Sequence, residues 1–169
     1  MSNGFHCQGC AETRIRDLRK DIQEIRSLVD HFNRTPALVI LAQWGTPGDF
    51  RFNSTFCLKS VTQEYLSDQG VFPGAVGKVY PDIAMALKPI GVSQAEIEGL
   101  IQQMSALHIV ALVRTVEGIR AIRTGVTRSE AGVLFLQPKV PRPRPREEDN
   151  GIRINCFVQL TDDVYYFET

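Results

Sequence analysis

Apolar side chains near the start of the chain follow a helical rhythm. Ile15, Leu18, Ile22, Ile25, Val29 and Phe32 are separated by alternating steps of three and four, which predicts one helix over 12–34 with a narrow apolar seam. A seam two residues wide per heptad suits contact with a second helix. It predicts a parallel homo-oligomer, dimer preferred over trimer, with Ile15, Ile22 and Val29 at a positions and Leu18, Ile25 and Phe32 at d positions. Asp21 is then placed to face Arg26 of a neighbouring copy. The bland alternative is the same helix folded back on its own domain.

Thr35-Pro36 ends that helix, because the residue before proline is driven out of the α region. Leu38–Leu41 reads as a buried strand, the turn at Trp44–Asp49 follows, and the alternation from Phe50 to Leu58 reads as a half-buried strand pairing back in a hairpin. Trp44 is expected to plug the core over that hairpin. Val61–Asp68 is a short helix candidate, and Asp82–Lys88 a second, with Pro81 in its first turn. Ser93-Gln-Ala-Glu96 forms a capping box. The apolar series it opens runs through Leu100, Met104, Ile109, Leu112 and Val116 to Ile122 and reads as a long central helix. Gly132–Gln137 and Ile152–Leu160 alternate as strands, and Thr161-Asp162-Asp163 turns the chain into a last strand over Val164–Phe167.

Together these elements predict an α+β fold: an N-terminal coiled-coil helix, then a mostly antiparallel sheet of about five strands on a long central helix. The domain reading is a flexible CxxC-bearing terminus over 1–11, an oligomerising helix over 12–34, and a globular domain over 35–169 with a Pro/Arg-rich connection at 138–150.

Composition narrows the function classes. Nineteen basic residues balance nineteen acidic ones, which removes the broad positive field of a protein that coats nucleic acid non-specifically. No apolar run reaches the roughly 18 residues needed to span a bilayer, and the first residues lack the pattern of a secretory signal. A cytoplasmic or other reducing intracellular compartment is the expected setting, with Cys57 and Cys156 as small buried hydrophobes. Cys7 and Cys10 have metal-ligand spacing, but no second pair follows. Two copies joined by a parallel coiled coil would bring four thiolates together for a zinc ion shared between chains; a disulfide or an unliganded terminus are the alternatives.

Motifs of chemistry are sparse. Gly74-Ala-Val-Gly77 has the spacing of an RNA-clamping loop, while the surrounding Phe72–Lys78 fails the requirements of a Walker loop. His108 stands among Ala106, Leu107, Ile109 and Leu112 without an acidic neighbour, so a core or semi-buried structural histidine is expected. Arg114, Arg120, Arg123 and Arg128, with Lys78, form a candidate face for nucleic acid or an acidic partner; a solvated helix face is the plainer reading. Pro141, Arg142, Pro143, Arg144, Pro145 and Arg146 form a candidate docking segment or an exposed connection between strands. Asp162-Asp163 is read as a solvated turn. The nucleophile elbow, the dinucleotide glycine fingerprint, the zinc-protease helix and the calcium loop are all absent.

No catalytic residue and no resident cofactor are assigned. The leading expectation is a non-enzymatic structural or adaptor protein that assembles through its helix and presents an interaction domain to another protein. An oligomeric RNA-binding protein using an arginine-rich face is the alternative, and an enzyme without a recognisable motif is the second alternative.

Overall fold

The computed structural model describes residues 10–44, 48–58, 64–66, 79–124, 130–148 and 153–169, with backbone alone at 10–11, 64–66 and 79. In chain order, helices α1 (Cys10–Lys20) and α2 (Ile22–Asn33) lead into strands β1 (Ile40–Gln43), β2 (Phe50–Phe52), β3 (Thr55–Leu58), β4 (Glu64–Leu66) and β5 (Val79–Tyr80). Helix α3 (Ile83–Leu87), a 3-10 turn at Lys88–Ile90 and helix α4 (Gln94–Ala106) precede β6 (Ala111–Arg114), β7 (Gly118–Thr124) and β8 (Ala131–Leu136). Short strands β9 (Arg146–Glu147) and β10 (Arg153–Ile154) come next, then β11 (Cys156–Gln159) and β12 (Val164–Glu168). The α+β class holds, but the sheet is larger than expected. Among the described residues, ten strands run in the order β11-β12-β8-β7-β6-β1-β2-β3-β4-β5, every pairing antiparallel, and β9 pairs with β10 in a separate ribbon.

Period-2 alternation assigns each strand residue to a face. Leu41, Leu112, Ile119, Ala121, Val133, Phe135, Val164 and Tyr166 join the main core beneath the helices, while Ala42, Ala111, Ile122, Leu134 and Phe167 belong to a smaller core on the back face. Helices cover the front. On the back, Ile154 of the β9–β10 ribbon is fully buried in that smaller core.

The N-terminal stripe lies on the front face of its own chain. Leu18, Ile25, Val29 and Phe32 are 0–3% exposed, and Ile15 and Ile22 pack against the same core. Leu28, outside the heptad series, is 1% exposed. Ile25, Leu28, Val29 and Phe32 therefore form the broad i, i+3, i+4, i+7 stripe of a helix on a sheet, not a two-residue seam left open for a partner helix. The charges assigned to a neighbouring copy are also used within the chain. Asp21, at the break between α1 and α2, bonds Arg123 of β7, and Arg26 pairs with Asp163.

The long central helix is corrected as well. The Ser93–Glu96 capping box opens α4 as expected, but the helix stops after Ala106, where His108 takes a left-handed φ of 54°. The β-branched residues Ile109, Val110, Val113, Val116, Ile119 and Ile122 go into and around the β6–β7 hairpin, whose pleated surface suits them better than a helix. His108 is consequently exposed, not a core histidine.

Further departures are smaller. Asn53, with φ 50°, breaks the expected Phe50–Leu58 strand into β2 and β3. Its side chain holds the turn, accepting from Val39 N at 2.7 Å and donating to Ala37 O at 3.0 Å. The Ile152–Leu160 strand divides at Asn155, so that β10 pairs with β9 while β11 pairs with β12. Asp82, not Pro81, starts α3, its carboxylate accepting from Met85 N at 2.8 Å. Of the proposed Val61–Asp68 helix, residues 64–66 form β4 and the rest lies outside the described residues.

Candidate interaction face

The four arginines read as one face are not gathered on one. Arg114 ends β6 and donates to Asn33 Oδ1 at 2.9 Å and to Phe32 O at 3.2 Å, with its guanidinium 5.0 Å from the Phe32 ring centre. Burial holds its pKa below the ordinary arginine value. Arg123 donates to Leu107 O at 3.1 Å as well as to Asp21. Arg120 points to the back of the sheet. Each is tied to its own fold, and Arg128 and Lys78 lie outside the described residues, as does Gly74–Gly77. Cys7 lies outside them too, and so does the side chain of Cys10, so the shared zinc site falls there as well. Cys57 is buried, as expected, whereas Cys156 is disulfide-bonded. Trp44 is half-buried, its ring edge-on to Phe56 at 4.9 Å.

What the fold does gather is a group of ionic side chains at the Pro/Arg connection. Pairing of β7 with β8 and the return of the chain through 137–148 bring Glu117, Arg120, Arg146 and Glu148 together on the back face. Arg120 Nη1 donates to Glu148 Oε2 at 3.0 Å, Nη2 donates to Glu148 Oε1, and the guanidinium lies 5.4 Å from the Phe167 ring centre. Arg146 donates from Nη1 and Nη2 to Glu117 Oε1 and Oε2 at 2.7 and 2.6 Å. These are fork-to-fork pairs, the strong geometry for a guanidinium and a carboxylate. The Arg120 bond depresses the Glu148 pKa, and the Glu117 bond raises that of Arg146.

The Arg120 side chain is only 7% exposed, and its Nε–H is buried with no acceptor among the described residues. Nearby, at the start of β8, Glu130 is buried, and desolvation raises its pKa despite the pull of Arg120. A cleft of about 260 Å³ opens among these groups, its apolar wall made by Val113, Val116 and Ile122. Val116, in the β6–β7 turn, is 92% exposed.

Arg146 of this network closes the Pro/Arg-rich run that starts at Pro141. Gln137 N donates to Glu117 O at 2.8 Å and Val140 N to Gln137 O at 3.2 Å, after which no regular structure occurs until Arg146. Prolines at 141, 143 and 145 remove every second amide donor, which keeps the segment out of the sheet. Pro141, Arg142, Arg144 and Pro145 are exposed and Pro143 is half-buried, while Arg146 is the anchor. The proline spacing signalled this exposed connection. Nothing in the sequence separated Arg146 from Arg142 and Arg144, because its partner Glu117 lies 29 residues away.

Asp162-Asp163 is a turn with a structural use: Arg26 donates Nη1 to Asp163 Oδ2 at 2.7 Å and Nη2 to Oδ1 at 2.8 Å. Among the described residues, no helix is long and apolar enough to cross a membrane. No family model, curated protein or solved structure matches the chain.

Proposed function

We propose that this chain is a non-enzymatic adaptor module whose contact with other proteins runs through the Pro141–Arg146 segment. One observation carries this reading. The segment is clamped by the Arg146–Glu117 pair at its far end, yet Arg142 and Arg144 stand exposed with no ion pair among the described residues. A proline-rich run loses little conformational entropy on binding, because its backbone is already restricted. Two cations on it select an acidic segment of a partner and speed the encounter. Self-association through Ile15–Phe32 forms no part of this reading, since that stripe is occupied by the chain's own sheet. RNA binding has lost its principal support, because Arg114, Arg120 and Arg123 are engaged internally.

The test is fluorescence anisotropy with a labelled Glu/Asp-rich peptide. Binding that weakens with salt, and by roughly tenfold or more when Arg142 and Arg144 are both changed to glutamate, is the expected outcome. Binding indifferent to both changes, or no binding at low salt, removes the proposal.

A further inference from the structure

Lys139 stands where its turn asks for a different residue. Val140 N donates to Gln137 O at 3.2 Å, closing a four-residue turn with Pro138 and Lys139 at its centre. Proline cannot take a positive φ, so the turn is of type II, and Lys139 holds its left-handed position with a φ of 71°. Glycine or asparagine fits there, whereas a lysine side chain strains the backbone. No internal contact offsets that strain. The Lys139 side chain is exposed and makes no hydrogen bond or ion pair among the described residues. Strain of this kind gathers where a ligand is met.

The backbone beyond the turn sets the spacing of the cations. Val140, Arg142 and Arg144 each precede a proline, which drives them into extended conformation, and Pro141 and Pro143 have their φ fixed by the ring. Extended steps of about 3.1 Å per residue place Arg144 up to about 15 Å from Lys139. Glu117 fastens both ends of the run: its backbone oxygen accepts from Gln137 N at 2.8 Å, and its carboxylate holds Arg146 at 2.7 and 2.6 Å. Three exposed cations, Lys139, Arg142 and Arg144, are thus presented on a backbone that is ordered before any partner arrives.

We propose that Lys139, Arg142 and Arg144 form one site for an extended run of about five or more acidic residues in a partner protein, and that Lys139 sets the length it requires. The inference rests on the adaptor reading and adds to it a third cation and a minimum length. An acidic peptide is favoured over a nucleic acid on two counts. Nineteen acidic residues balance nineteen basic ones, and 138–146 contains no aromatic side chain on which a base could stack.

Fluorescence anisotropy of the full chain with labelled hexaglutamate and triglutamate at low salt tests the proposal. Wild type is expected to bind hexaglutamate more tightly than triglutamate. Lys139→Asn should weaken hexaglutamate binding by about threefold and shrink that advantage, while Lys139→Arg, which keeps the charge, should bind as wild type does. Because asparagine tolerates the left-handed position, the urea midpoint of Lys139→Asn should be no lower than that of wild type. A lysine with a purely structural role would not give weaker binding at undiminished stability. Hexaglutamate binding that is lost in the Arg142→Glu, Arg144→Glu double variant yet untouched in Lys139→Asn would overturn this inference and leave the adaptor reading standing. No binding of hexaglutamate by wild type would overturn both. Weakening in Lys139→Arg equal to that in Lys139→Asn, a lowered midpoint in Lys139→Asn, or tighter binding of hexauridylate than of hexaglutamate would each overturn the inference.

Discussion

Arg26 on α2 and Asp163 in the β11–β12 turn stand 137 residues apart in sequence and form a two-pronged pair. The Arg26 bonds hold Asp163 at a pKa of about 2, below its ordinary 3.8. A carboxylate whose folded pKa is depressed stabilises the fold above its unfolded pKa, and that contribution is lost as pH falls through the folded value. The window here is from about pH 4 down to about 2. The side chains are 34% and 48% exposed, so solvent screening limits the pair to less than about 1 kcal/mol. Asp163→Asn should therefore lower urea stability by that amount at neutral pH and match wild type near pH 2. Glu148 is the contrasting case, because its partner is buried. Glu148→Ala leaves the Arg120 guanidinium with Glu117 at 4.0 Å as its nearest carboxylate, and should cost about 3–5 kcal/mol in urea unfolding. A loss under about 1 kcal/mol would mean that water replaces Glu148 freely.

Among the elements, those announced by local chemistry came through best. The capping box at Ser93 needs four adjacent residues and no tertiary partner; Ser93 Oγ accepts from Glu96 N at 3.2 Å, and Glu96 Oε2 accepts from Ser93 N at 2.7 Å. Ser93→Ala should cost about 0.5–2 kcal/mol, read as a lowered denaturation midpoint. The β8 strand and the Asp162-Asp163 turn were legible for the same reason. The end of α4 was not. From Ile109 to Ile122 the chain is apolar at positions that satisfy either period, and β-branching was the only local cue that favoured strands. The breaks at Asn53 and His108 depend on left-handed backbone, which asparagine signals weakly and histidine hardly at all. The ionic cluster was hidden more deeply. Arg120 was visible as an arginine, but its union with Glu148, Arg146 and Glu117 requires the β7–β8 pairing and the return of the connection.

At the scale of the whole molecule, the sheet decides what is free to meet a partner. Its front is filled by α1, α2 and α4, which takes the N-terminal stripe out of use as an oligomer seam. Its back carries the smaller core, the ribbon, the ionic cluster and the exposed Pro/Arg segment. Six heptad positions alone describe a narrow seam, but Leu28 beside them widens the stripe to the face of a helix lying on its own sheet. The two accounts of that stripe differ in one measurable consequence, the fate of the fold when a charge is placed in it. Far-ultraviolet circular dichroism of Ile25→Asp gives the most direct answer. Burying an unpaired carboxylate at a fully enclosed core position should unfold the chain and abolish the β signal at 25 °C. A variant that keeps the wild-type spectrum and its cooperative unfolding would contradict the packing of this helix on its own sheet.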